Sequence, residues 1–163
     1  MKTMILYASS KGYAAQCAAE LQKQLGGDAE LVDLKKQKQP DLSACTSLII
    51  GGSIHASNLQ GAVKKFCSAR EQELLGKPLV GLFLCAMEEK EVDTYFQQFP
   101  QALRDKASVT GWFGGRIDFS QHSFFVKVLL KKAAGMKESV FAERPEAVQE
   151  FARKFRELQL KPQ

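Results

Sequence analysis

Paired cysteines, a long apolar run and a supply of histidine are all missing from this 163-residue chain, and each gap removes a class of protein. The four cysteines, Cys17, Cys45, Cys67 and Cys85, are widely spaced and follow no metal-ligand or redox pattern. Each lies in or beside an apolar segment, where a free cysteine behaves as a small hydrophobe. Neither a zinc site nor a disulfide framework is supported, and reduced thiols fit a cytoplasmic protein. No apolar run approaches the ~20 residues needed to cross a bilayer. The opening Met1-Lys2-Thr3-Met4 passes into a short apolar segment with no cleavage site, so no secretory leader is expected. Repeats, low-complexity tracts and linkers are also missing, and one domain over residues 1–163 is expected.

The composition, 45% hydrophobic and 25% charged, is that of an ordinary globular domain. Net charge is +5, which points to an anionic partner such as a nucleotide phosphate, a carboxylate-bearing substrate or a membrane surface. No nucleic-acid partner is expected. Short apolar runs at Thr3 to Ala8, Glu30 to Leu34, Leu48 to Gly52, Leu79 to Cys85 and Ser108 to Gly114 read as five buried strands. Helical spacing separates them. Ala14, Ala18, Leu21 and Leu25 mark a first helix stopped by Gly26-Gly27. Leu59, Val63 and Phe66 mark a second, which runs to about Gly76, and a third spans about Glu91 to Asp105. Pro145 opens a last helix with Ala147, Phe151, Phe155 and Leu158 on one face. Continuous apolar strands alternating with helices imply a doubly wound α/β fold with a parallel sheet and helices on both faces. Ligands of such sheets bind beyond the carboxyl ends of the strands, where strand order reverses.

The loop after the first strand, Ser9-Ser10-Lys11-Gly12-Tyr13-Ala14, is suited to phosphate. Ser9 and Ser10 supply hydroxyl donors, Lys11 a cation and Gly12 a tight turn. The following helix points its positive end at the same place. The loop has neither the Walker spacing nor the GxGxxG dinucleotide fingerprint.

These residues resemble the opening of flavodoxin-like proteins. The similarity is greatest to the flavodoxin-type, menaquinone-dependent protoporphyrinogen oxidases and their relatives, and it covers nearly the whole chain. It includes Met1-Lys2-Thr3, Ile50-Gly51-Gly52-Ser53-Ile54, and the stretch from Gly114-Gly115 through Lys137. The resemblance implies a flavodoxin-like five-stranded sheet in the order 2-1-3-4-5, FMN as cofactor, and its phosphate in the loop Ser9 to Ala14. It also implies ring contacts from Ser53, Ile54, His55, Ala56, Ser57 and Asn58 after strand three, and from Cys85, Ala86, Met87 and Glu88 after strand four. Two positions depart from the family. Ala14 stands where a threonine is usual, and no aromatic residue occurs in Ser53 to Asn58.

Residues 116 to 137 hold five Lys/Arg and one Asp, so +4 of the net charge is concentrated there. Phe124 to Lys132 is predicted to be a helical insertion after strand five, with Lys127 and Lys131 on one strip. A basic, apolar helix of this kind fits a peripheral membrane contact or packing against its own domain. The expected function is an FMN oxidoreductase passing electrons from a reduced organic substrate to a quinone or another acceptor. A one-electron FMN carrier and a flavin-free binding module are the alternatives. No catalytic residue is assigned, and His55 and His122 are read first as surface histidines.

Overall fold

A computed structural model describes residues 2–26, 29–117, 128, 132 and 140–161. The central sheet contains β1 (Thr3–Ala8), β2 (Ala29–Asp33), β3 (Ser47–His55), β5 (Leu79–Cys85) and β6 (Val109–Trp112), in the spatial order β2-β1-β3-β5-β6. All four pairings along this path are parallel, and the order is the expected flavodoxin-like one. A two-residue strand, β4 (Asn58–Leu59), turns back antiparallel on the end of β3.

The strands carry apolar side chains on both faces, and two cores form as a result. Ile5, Ile49 and Phe83 face α1 (Tyr13–Leu25) and the last helix, α6 (Pro145–Leu160), through Ala18, Leu21, Phe151 and Phe155. Leu6, Leu48, Ile50, Leu82 and Leu84 face the other way. They pack against α2 (Gly61–Ala69), α3 (Glu71–Leu75), α4 (Val92–Phe96) and α5 (Gln101–Lys106). Alternate residues of β5 divide between the two cores, as the twofold period of a strand requires.

Four elements differ from the sequence reading. The third strand continues past Gly52 to His55, so Ser53, Ile54 and His55 are strand residues and Asn58 belongs to β4. The turn between them is Ala56-Ser57, with φ of 47° and 60°. Two left-handed residues in a row give the twist that a two-residue hairpin needs. Leu59 therefore pairs with Ile54 and does not begin a helix. The second helix breaks at Arg70 into α2 and α3. The third breaks at Pro100, which cannot donate a helical hydrogen bond, leaving a 3-10 turn at Glu89–Glu91, then α4 and α5.

The fifth strand also stops early, at Trp112. Gly114 has φ of 74°, and a Cβ there would run into the Ala142 carbonyl. The chain bends at this point out of the main sheet into β7 (Gly114–Ile117), which pairs antiparallel with β8 (Val140–Glu143). The predicted helix Phe124 to Lys132 falls outside the described residues except for Val128 and Lys132, which are helical and exposed.

Candidate functional site

β1, β3 and β5 are adjacent, with Ala8 beside Gly52 and Ser53 beside Cys85. The loops that follow them therefore open at one edge of the sheet. α1 begins directly after the first loop with Gly12 in the left-handed region, φ 88° and ψ −16°. The Gly12 N–H donates to Ser9 Oγ at 3.0 Å, closing a small ring, and the first bond of the helix runs from Gln16 N–H to the Gly12 carbonyl. The first turn of α1 has no side-chain cap and no acidic residue. N–H groups at such an end have no intrahelical acceptor, and together with the helix dipole they favour an anion. A side chain added at Gly12 would meet nothing, so the backbone conformation, and not crowding, selects glycine.

Ser10 and Lys11 are exposed, Ser9, Gly12 and Tyr13 are half-buried, and Ala14 is buried in the core with Ile5, Cys17 and Ala18. Ala14 thus adds a backbone N–H to the helix start while its methyl group packs inward. Tyr13 is held at its far end, where its hydroxyl donates to the Phe113 carbonyl at 2.7 Å and receives the Arg144 N–H at 3.4 Å. Burial raises the Tyr13 hydroxyl far above the ordinary phenol range, so it remains a neutral donor. The Arg116 guanidinium lies over the ring, 5.6 Å from its centre.

Three polar residues outside the sequence-derived set brace the loops. Gln60, buried at the start of α2, donates from Nε2 to Ser10 Oγ at 2.6 Å and to Ser53 Oγ at 3.1 Å. It joins the first loop to the end of β3. Lys35, just beyond β2, donates from Nζ to the Ser9 carbonyl at 2.9 Å. Gln98 accepts from Leu59 N–H and donates to the Ser57 carbonyl, clamping the hairpin that carries His55, Ala56, Ser57 and Asn58. Asn58 also closes on the Ala56 carbonyl. A lone amide has no periodicity to reveal it, and Lys35 stands out in the sequence only as one of several lysines after β2.

The loop after β5 is less open. Cys85 and Ala86 are buried, Met87 is half-buried and Glu88 is exposed. Burial pushes the Cys85 thiol well up, so it stays neutral and inert. The Ala86 N–H donates to the Gly114 carbonyl at 2.8 Å, and its carbonyl accepts from the Trp112 indole at 2.8 Å. Gly115 of β7 presses so closely on Met87 that a Cβ would lie 2.8 Å from its sulfur. A ligand here would have to use Met87 and Glu88, because both backbone groups of Ala86 are taken. Glu88 in turn accepts from the Tyr95 hydroxyl at 3.3 Å. Among the described residues no cluster of His, Cys, Asp and Glu could hold a metal ion, and no helix is long and apolar enough to cross a membrane.

Residues 4–141 match the family model described as a flavodoxin domain. Among solved structures, the chain is similar to the flavodoxin, WrbA-like protein from Agrobacterium tumefaciens, with TM-score 0.61, 16% identity and 97% of each chain covered. It is also similar to Fusobacterium nucleatum flavodoxin bound to flavin mononucleotide, with TM-score 0.56 and 11% identity over 96% of this chain and 98% of that one. Rubredoxin oxygen:oxidoreductase from Desulfovibrio gigas aligns with TM-score 0.64 and 14% identity. There, 97% of this chain spans only 36% of the longer protein. Likeness at these identities concerns the fold. Comparison with curated protein sequences gives no match.

Proposed function

The chain belongs to the flavodoxin-domain family, and on that premise we propose that it binds FMN and works as an oxidoreductase of the protoporphyrinogen-oxidase type. The observation that carries this reading is the uncapped start of α1 behind Gly12, braced from two sides by Gln60 and Lys35. That arrangement fits the phosphate of the cofactor. The residues that would hold it are Ser9, Ser10, Lys11 and Gly12 with the first N–H groups of α1. The β3–β4 hairpin and Met87-Glu88 stand where the ring would lie. The chemistry the cofactor supplies when bound is two-electron exchange between a reduced organic substrate and a quinone or another acceptor. The chain's own part is to anchor, to orient and to exclude water. Gln60 fixes the spacing between the phosphate loop and the hairpin, and Gln98 fixes the hairpin itself. The finer assignment, to the protoporphyrinogen-oxidase type, draws on Ile50 to Ile54 and on the segment from Gly114-Gly115 onward.

The test is the flavin content of the freshly purified protein, followed by FMN titration of the apo form. We expect a yellow protein with one FMN per chain. Gly12→Val should lose binding, because a β-branched residue does not adopt the left-handed backbone of the loop. A variant with undiminished affinity places the phosphate elsewhere. A flavin-free binding module is the second reading, favoured by the inward-facing methyl of Ala14 and by the occupied backbone of Ala86. A colourless protein that takes up no FMN would establish it.

A further inference from the structure

We infer that a groove between the β2–β3 connection and α2 is a second ligand site, built for an amphipathic organic anion with an apolar body and negative groups at opposite edges. The groove encloses about 840 Å³, within the ~300–1,000 Å³ typical of small-molecule sites. It shares only Lys35, which braces the Ser9 carbonyl, with the surroundings of the proposed flavin site, and it stands whether or not that assignment holds. Its floor is apolar, formed by Leu34, Pro40, Ala62 and Phe66, with the exposed Ala69 at its lip. Its rim is cationic on both banks, with Lys35 and Lys38 on the connection, Lys65 on α2 and Arg70 just past the end of α2. No acidic residue lines it.

The four cations are not equivalent. Arg70 is structural: it pairs with Glu73, donates from Nη1 to the Pro40 carbonyl and lies 5.6 Å over the Phe66 ring. It thereby ties one bank to the other, which favours a discrete small molecule over a polymer running through. Lys35 is committed to the Ser9 carbonyl. Lys38 and Lys65 are exposed, one on each bank, and among the described residues neither enters an ion pair. Positive charge left uncompensated on both sides of an apolar floor complements an anion with charge at both edges. A bare phosphate would leave the floor unused. An uncharged hydrophobe would leave the rim unused.

The experiment uses the full chain as purified and two fluorescent probes. One is bis-anilinonaphthalene disulfonate, an apolar body with two separated anions, and the other is the uncharged N-phenylnaphthylamine. The disulfonate should bind the wild type at low salt. Lys38→Gln/Lys65→Gln should weaken the disulfonate about tenfold, the loss of two partly exposed charge contacts, and leave the uncharged dye unchanged. That difference should collapse at high salt. Ala69→Trp, which fills the groove from an exposed position, should weaken both dyes. Unchanged circular dichroism and thermal midpoint in the variants would show that the fold is intact. The inference is overturned if the wild type does not bind the disulfonate, if the double lysine variant binds it as well as wild type, or if Ala69→Trp leaves both affinities unaltered.

Discussion

Gln60 joins two loops through one side chain, and its removal should be felt in both. Its amide nitrogen serves Ser10 and Ser53 from a position that is 9% exposed. Gln60→Leu keeps the volume and removes the donors, leaving the half-buried Ser53 hydroxyl short of a partner while the exposed Ser10 turns to water. The expected cost is about 1–3 kcal/mol, read as a lower urea midpoint, together with weaker FMN binding. Stability lost without any change in FMN affinity would mean that the brace does not set the phosphate loop. Glu150 offers a second single-residue test, on the exposed face of α6. Hydrogen bonding from Arg153, with Lys154 beside it, holds its carboxyl down to about 2, below the ordinary 4.5. A depressed carboxylate stabilises the fold above its ordinary value, and that stabilisation is lost as pH falls through the depressed one. Glu150→Gln should therefore unfold more easily than wild type near neutral pH, and the gap should close as pH approaches about 2. A gap independent of pH would show that the ion pair is not its source. The cysteines should be quiet. Burial pushes Cys67 up to about 12, hydrogen bonding with Cys85 holds the Cys17 thiol below the usual range, and because all four thiols are buried thiol reagents should modify the native protein only slowly.

At the scale of elements, the β7–β8 ribbon closes over the loop that follows β5. It leaves the main sheet at Gly114, covers the loop after β5 through Gly115, and accepts the Ala86 N–H at the Gly114 carbonyl. Gly114→Ala must distort a left-handed residue or displace Ala142. It should cost about 1–3 kcal/mol and expose Trp112, visible as a red-shifted tryptophan emission. An unshifted spectrum at wild-type stability would contradict this account of the ribbon. The ribbon was not legible in the sequence, because Ser108 to Gly114 is one apolar run and the change of sheet rests on a single backbone angle. The parallel core was legible. Buried strands such as Leu79 to Cys85 carry apolar side chains toward both faces, and the spacing of Ala14, Ala18 and Leu21 has no competing reading. Ser53 to Asn58 was legible as a place but not as a shape: two residues of turn and two of strand are too short to leave a period. Of the loop Ser9 to Ala14, the hydroxyls, the glycine turn and the helix start could be read directly. Gln60, which braces that loop, and Gln98, which clamps the β3–β4 hairpin, are single amides with no periodicity and could not be read.

For the molecule as a whole, charge is distributed unevenly, with +4 of the net +5 within residues 116 to 137. We propose that residues 124 to 132 meet an anionic membrane surface or an anionic partner there. Lys127, Lys131 and Lys132 changed to glutamine should lower binding to anionic vesicles by up to about 3 kcal/mol at low salt, with FMN content unaltered. Equal sedimentation of wild type and variant, or no sedimentation of the wild type, would refute the membrane contact. The hydroxyl of Tyr13 has a consequence of another kind. Its partners are 100 and 131 residues further along the chain, and Gln159 bonds Thr3 across 156 residues. During synthesis Tyr13 is made well before the two residues that hold its hydroxyl, Phe113 and Arg144. A nascent chain halted before Arg144 should therefore leave the start of α1 untethered at Tyr13 and remain protease-sensitive there, whereas a chain extended past Arg144 should become resistant.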